Sequence, residues 1–125
     1  MKLSQKENVQ TVMPGGVIHF NTNAVTGEMT CNELQKMNFD LMLFSCVGVS
    51  TEGAFEASLE TAQIKQTALF HSKRRILVAD ETKFNLTANY YRTASLGELN
   101  FIATNADDKT VAPIRAAGVT VYNKI

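Results

Sequence analysis

Three short apolar runs, each bounded by polar or glycine-rich segments, constrain this chain more than any other feature. Leu41–Val47, Ile76–Ala79 and Asn100–Thr104 are of strand length and nearly continuous in apolar character. Such runs read as strands covered on both faces, in contrast to the alternating pattern of a half-exposed strand. Between them the period changes. The segment after Gly27, EMTCNELQKM, places Met29, Leu34 and Met37 on one stripe, and the segment from about Ala57 to His71 spaces Ala57, Ile64, Ala68 and His71 at helical intervals. Strands alternating with amphipathic helices across short polar turns form βαβ units. The expected fold class is therefore α/β, with a largely parallel, Rossmann-like open sheet flanked by helices.

The remaining elements follow from local signals. Val9–Met13 and Val17–Phe20 read as short strands separated by Pro14-Gly15-Gly16. Gly48 is expected to stop the first buried strand, and Ser50–Gly53 to form a polar turn. Lys73-Arg74-Arg75 suits a helix C-terminus, where cations meet the dipole. Thr110 is expected to cap a short helix with Pro113 in its first turn, Gly118 to end it, and Val119–Tyr122 to form a last strand.

Composition narrows the function classes. The chain has 125 residues, the length of one domain, with 12 Lys+Arg against 12 Asp+Glu. That balance argues against a polyanion binder. Cys31 and Cys46 are too few for a disulfide scaffold, and no charged-then-apolar leader opens the sequence, so a cytoplasmic location is expected. Leu41–Val49 is the longest apolar stretch, nine residues where a membrane helix needs about 20. Asn85-Leu86-Thr87 matches a glycosylation sequon, which carries no weight without a secretory signal. No internal repeat or low-complexity linker divides the chain.

Ligands of open α/β sheets sit outside the carboxyl ends of the strands. The sequence puts Gly48, Asp80 and Thr104 there. Asp80-Glu81-Thr82-Lys83 is the sharpest signal: Lys83 offers a point charge for a phosphate or carboxylate, and Asp80 accepts hydroxyls. No GxGxxG or Walker loop is present, which demotes dinucleotide and NTPase readings. His19 and His71 are lone histidines and the cysteines lie in unlike contexts, so no metal site is expected. Ser45 and Cys46 lie inside a strand, where a nucleophile would be buried. No cofactor and no catalytic residue is assigned.

Pro14-Gly15-Gly16, Gly27 heading a helix, FDLMLFSCVGVSTEGAFE, a helix with Glu60 and Lys65, and RRILVADETKFN form an ordered series. From about Val9 to Tyr122 this series resembles the C-terminal effector-sensing domain of DeoR-family bacterial transcriptional repressors. The resemblance implies a fold like that of ribose-5-phosphate isomerase, glucosamine-6-phosphate deaminase and CoA-transferases. It also implies a regulatory, non-enzymatic domain that binds a phosphorylated sugar and controls operator binding through an N-terminal helix-turn-helix. Carried over residue by residue, it puts Asp80, Lys83, Gly48 and Glu60 at the effector site. Thr104-Asn105 departs from the Thr-Asp of many members. The winged helix and the Asp-x-Gly-Thr-Thr phosphate loop have no counterpart, so residues 1–125 read as a single, partial sensor domain. Operator DNA is then reached only through a domain missing from this chain. Strands left without neighbours expose edges, so a dimer or higher oligomer is expected. The alternative is a sugar-phosphate isomerase-type enzyme or its remnant, using carboxylates such as Glu52, Glu56 and Glu60. A phosphoacceptor receiver domain is rejected, because it needs its lysine two strands after the acceptor and not three residues on.

Overall fold

The computed structural model describes residues 2–22, 24–84 and 91–124. In chain order the elements are a hairpin of β1 (Val17–His19) and β2 (Ala24–Thr26), helix α1 (Glu28–Leu34), β3 (Phe39–Phe44), β4 (Gly48–Ser50), β5 (Gly53–Glu56), helix α2 (Leu59–Phe70), β6 (Ser72–Val78), β7 (Tyr91–Ala94), β8 (Phe101–Ala103), helix α3 (Asp108–Ala116) and β9 (Val121–Tyr122). Strands β3, β6, β8 and β9 form a four-stranded sheet in that order, with every pairing parallel. The parallel sheet flanked by helices is the architecture expected from the alternating pattern.

Register fixes which side chains share a face. Phe44 pairs with Leu77, Leu77 with Ile102, and Ile102 with Val121. These residues join Leu69 of α2 and Val111 and Ile114 of α3 in one buried cluster. On the opposite face Leu43 follows through Ile76 to Phe101, and Val78 through Ala103 to Tyr122. That face is largely open: Leu41, Leu43, Val78 and Tyr122 are exposed, and Ile76 is buried. The reading of Leu41–Val47 as covered on both faces is thus corrected, because β3 is an edge strand with helices on one side only.

The second sheet, β4-β5-β7, is antiparallel. The sequence gives no warning of it, since Gly48 opens a hairpin strand where a strand end was expected. Its turn needs glycine. Gly53 has φ +127°, and a Cβ there would lie 2.1 Å from the Ala94 carbonyl oxygen. Residues Val9–Met13 form no strand and are exposed. Lys73, Arg74 and Arg75 lie in β6, not at a helix end, because α2 stops at Phe70 and the chain re-enters the sheet at once.

Helix α2 starts where Ser58 accepts the Thr61 N–H at 3.1 Å, a side-chain cap. Helix α3 is capped by Asp107, whose carboxylate accepts from Thr110 N–H at 2.8 Å, so Thr110 lies inside the first turn. Pro113 is an exposed interior residue of α3, past the first turn. The sequon at 85–87 lies outside the described residues.

Candidate functional site

The carboxyl end of β6 is built by local hydrogen bonding. Ala79 N–H donates to Ala103 O at 3.1 Å, so sheet pairing runs to the last residue before the turn. Asp80 then caps a single 3-10 turn over Glu81–Lys83. Its Oδ1 accepts from Thr82 N–H at 2.8 Å and also from the Thr82 hydroxyl. Those two bonds, the hydroxyl's first, with Lys83 nearby, hold the exposed Asp80 carboxyl below its ordinary value of 3.8. Buried Phe84 anchors the end of the turn and bridges to Val49 of β4. Across the sheet, Glu81 N–H donates to Asn105 Oδ1 at 2.8 Å, tying the exit of β6 to the exit of β8. Thr104, fully buried, donates its N–H to Tyr122 O at 2.9 Å and accepts from Ala106 N–H through its hydroxyl.

Lys83 is half-buried within this frame; its backbone N–H donates to Asp80 O at 3.1 Å, but its ammonium makes neither a hydrogen bond nor an ion pair among the described residues. It acts on Asp80 and on Cys46 only through the field of its charge. The Cys46 thiol is pushed up to about 11, by burial first and by Glu56 second, so it stays protonated at neutral pH. A nucleophilic role for Cys46 is correspondingly disfavoured.

The four residues singled out by the resemblance do not all meet. Gly48 is buried in β4 opposite Phe55 and next to Val49, which bridges to Phe84, so it lies in the framework beside the Asp80–Lys83 turn. Glu60 lies elsewhere. It is in the first turn of α2, and its Oε2 is 3.3 Å from the Thr26 hydroxyl and 3.5 Å from His19 Nε2. Its described partners all belong to the β1–β2 hairpin.

A buried ion pair lies beside this frame. Lys65 of α2 donates to Ser45 O at 2.6 Å and forms a close ion pair with Glu56 of β5. Both side chains are largely buried. This pair ties the exit of β3 to the second sheet and to α2. Its only sequence trace is a carboxylate nine residues before a lysine, and that spacing spans a strand end and a helix start with no fixed geometry.

The profile of the DeoR C terminal sensor domain matches residues 1–106. The chain belongs to the DeoR C-terminal sensor domain family. Among curated proteins, it is 35% identical over 94 residues to the lactose phosphotransferase system repressor of Staphylococcus epidermidis, covering 75% of this chain and 37% of that protein. It is 31% identical over 101 residues to the L-fucose operon activator of Haemophilus influenzae, covering 80% and 40%. It is 27% identical over 103 residues to the HTH-type transcriptional repressor GlcR of Bacillus subtilis, covering 82% and 40%. The chain therefore spans well under half the length of these relatives. No described helix is long and apolar enough to cross a membrane.

Proposed function

We propose that this DeoR-type domain is the effector-sensing part of a transcriptional regulator of sugar metabolism, and that its effector is a phosphorylated sugar. The effector docks outside the strand ends, with Lys83 on the phosphate and Asp80 accepting sugar hydroxyls. The observation that carries this reading is the uncommitted Lys83 ammonium on a turn otherwise fixed by hydrogen bonds and by Phe84. A cation without an internal partner, on a rigid frame, binds an anion with little ordering cost. The printed names of the relatives, a lactose phosphotransferase system repressor and a fucose operon activator, agree with a sugar-linked signal.

In this reading the domain binds and does not turn over its ligand, and its output is a shift in the arrangement of subunits. Operator contact falls to a helix-turn-helix domain outside these 125 residues. The open face and free edge of β3 supply the surface for self-association. Isothermal titration with pentose and hexose phosphates tests the effector assignment. Lys83→Ala is expected to weaken binding by at least about tenfold, the effect of one charge-assisted hydrogen bond. Equal affinity in wild type and variant removes Lys83 from the site. Sedimentation velocity tests the oligomer, and a concentration-independent monomer contradicts it.

A further inference from the structure

A second uncommitted cationic site lies away from the strand ends. A cavity of about 490 Å³ is bordered by Gln66 and Phe70 of α2, Arg75 of β6, Arg92 and Thr93 of β7, and Glu98 of the loop before β8. Arg75 lies five residues before Asp80, roughly 16 Å along an extended strand. This cavity and the Asp80–Lys83 turn are therefore separate places on the molecule.

Three observations point to a ligand. Arg75 is held in place, its Nε donating to Leu69 O at 2.8 Å and its Nη1 to Glu98 O at 3.3 Å. Both acceptors are neutral carbonyls, so the guanidinium keeps its full charge, and Nη2 has no acceptor among the described residues. Arg92 is exposed, and its guanidinium has no hydrogen-bond or ion-pair partner among the described residues; its backbone pairs with Phe55 in the sheet and its carbonyl accepts from Gln66 Nε2 at 2.7 Å. Thr93 is 4% exposed, and its Oγ1 is buried with no hydrogen-bond partner. A buried hydroxyl left unsatisfied is costly and uncommon. The one acid at the rim, Glu98, turns its Oε1 to the N–H and hydroxyl of Ser95.

We propose that this cavity binds a phosphoryl group, as free phosphate or as a small phosphomonoester. Guanidinium forks match the paired oxygens of a phosphoryl group. Arg75 supplies a fixed fork, Arg92 closes from the exposed side, and the buried Thr93 hydroxyl, turned toward the cavity when the anion binds, donates its proton to an oxygen of the anion. The site does not depend on the strand-end reading.

The test is NMR titration of the 125-residue chain with inorganic phosphate and, in parallel, glycerol phosphate, against sodium chloride at matched ionic strength. It is run on wild type and on Lys83→Ala, which removes the strand-end cation. The expected result is a saturable shift of the Arg75 and Arg92 Nε–H and Thr93 amide signals in both proteins. Arg92→Ala, at an exposed position with no internal partner, is expected to weaken binding roughly tenfold or more. Thr93→Val is expected to do two opposite things: raise the unfolding midpoint without phosphate, by removing an unsatisfied hydroxyl, and weaken phosphate binding roughly tenfold. The stronger response of the two ligands identifies the source of the phosphoryl group. A response no greater than with chloride, a response that disappears in Lys83→Ala, or affinity unchanged in both Arg92→Ala and Thr93→Val overturns the site.

Discussion

Two lysines of this domain have opposite surroundings. Lys65 is clasped: its ammonium meets the Glu56 carboxylate and the Ser45 carbonyl, largely out of water. Lys83 stands half-buried on a well-built turn, and nothing described in the protein takes its charge. Satisfied polar groups in the interior hold a fold together, whereas a fixed but unspent charge outside a strand end is available to something else. The difference separates a structural lysine from one suited to a ligand, and it does so by partners and burial rather than by residue type.

The sharpest way to break the comparison is to remove the clasped lysine. Lys65→Ala leaves the Glu56 carboxylate, 5% exposed, without its counter-ion. Breaking a buried pair in this way costs about 3–5 kcal/mol, which urea unfolding measures. Replacing both partners by apolar residues of similar size, Lys65→Met with Glu56→Leu, is expected to recover most of that loss. A single variant as stable as wild type would show that Lys65 is no more structural than Lys83.

A smaller effect tests the helix that carries Lys65. Ser58→Ala removes the hydroxyl that accepts Thr61 N–H and is expected to cost about 1 kcal/mol by the same measurement. Lys83→Ala should fall below both, within about 0.5 kcal/mol of wild type, because it removes no internal hydrogen bond. A large loss of stability in Lys83→Ala would erase the distinction between the two lysines.

The smallest effect is one of pH. The Asp80 carboxyl is lowered by the Thr82 hydrogen bonds, so its contribution is fully present above the ordinary value of 3.8 and is lost as pH falls through the lower folded value. The stability difference between wild type and Asp80→Asn is therefore expected to be constant at neutral pH and to shrink in acid below about 4. A difference that grows in acid would mean that the cap does not favour the charged form.

How much of this could be read from sequence depended on whether the signal was local. Strands β6 and β8 announce themselves as apolar runs because their central residues Leu77 and Ile102 have no exposed surface at all. Asp80 closes β6 in the structure as its chemistry suggests, because an acid that can accept from Thr82 stops a strand with a turn. The antiparallel sheet was illegible: β4 and β5 have three and four residues, and their partner β7 is brought in from far along the chain. Basic residues 73–75 belong to a strand and not to a helix end for a related reason. They lie on an edge-proximal stretch of β6, where Arg75 reaches back to the last turn of α2 and mimics the helix-end cation that the sequence suggested. The pairing of Lys65 with Glu56, and the shared cavity of Arg75 and Arg92, exist only once those strands are placed.

If Lys83 holds the phosphate of a sugar effector, as proposed, the Asp80–Phe84 amides report it in an NMR titration with hexose phosphates. The expected result is a saturable shift of these amides with the phosphorylated sugar, a much weaker response to the same sugar without phosphate, and loss of the shift in Lys83→Ala with the fold intact. A shift of equal size and affinity in Lys83→Ala, or none at these amides while the sugar phosphate binds elsewhere, would contradict it.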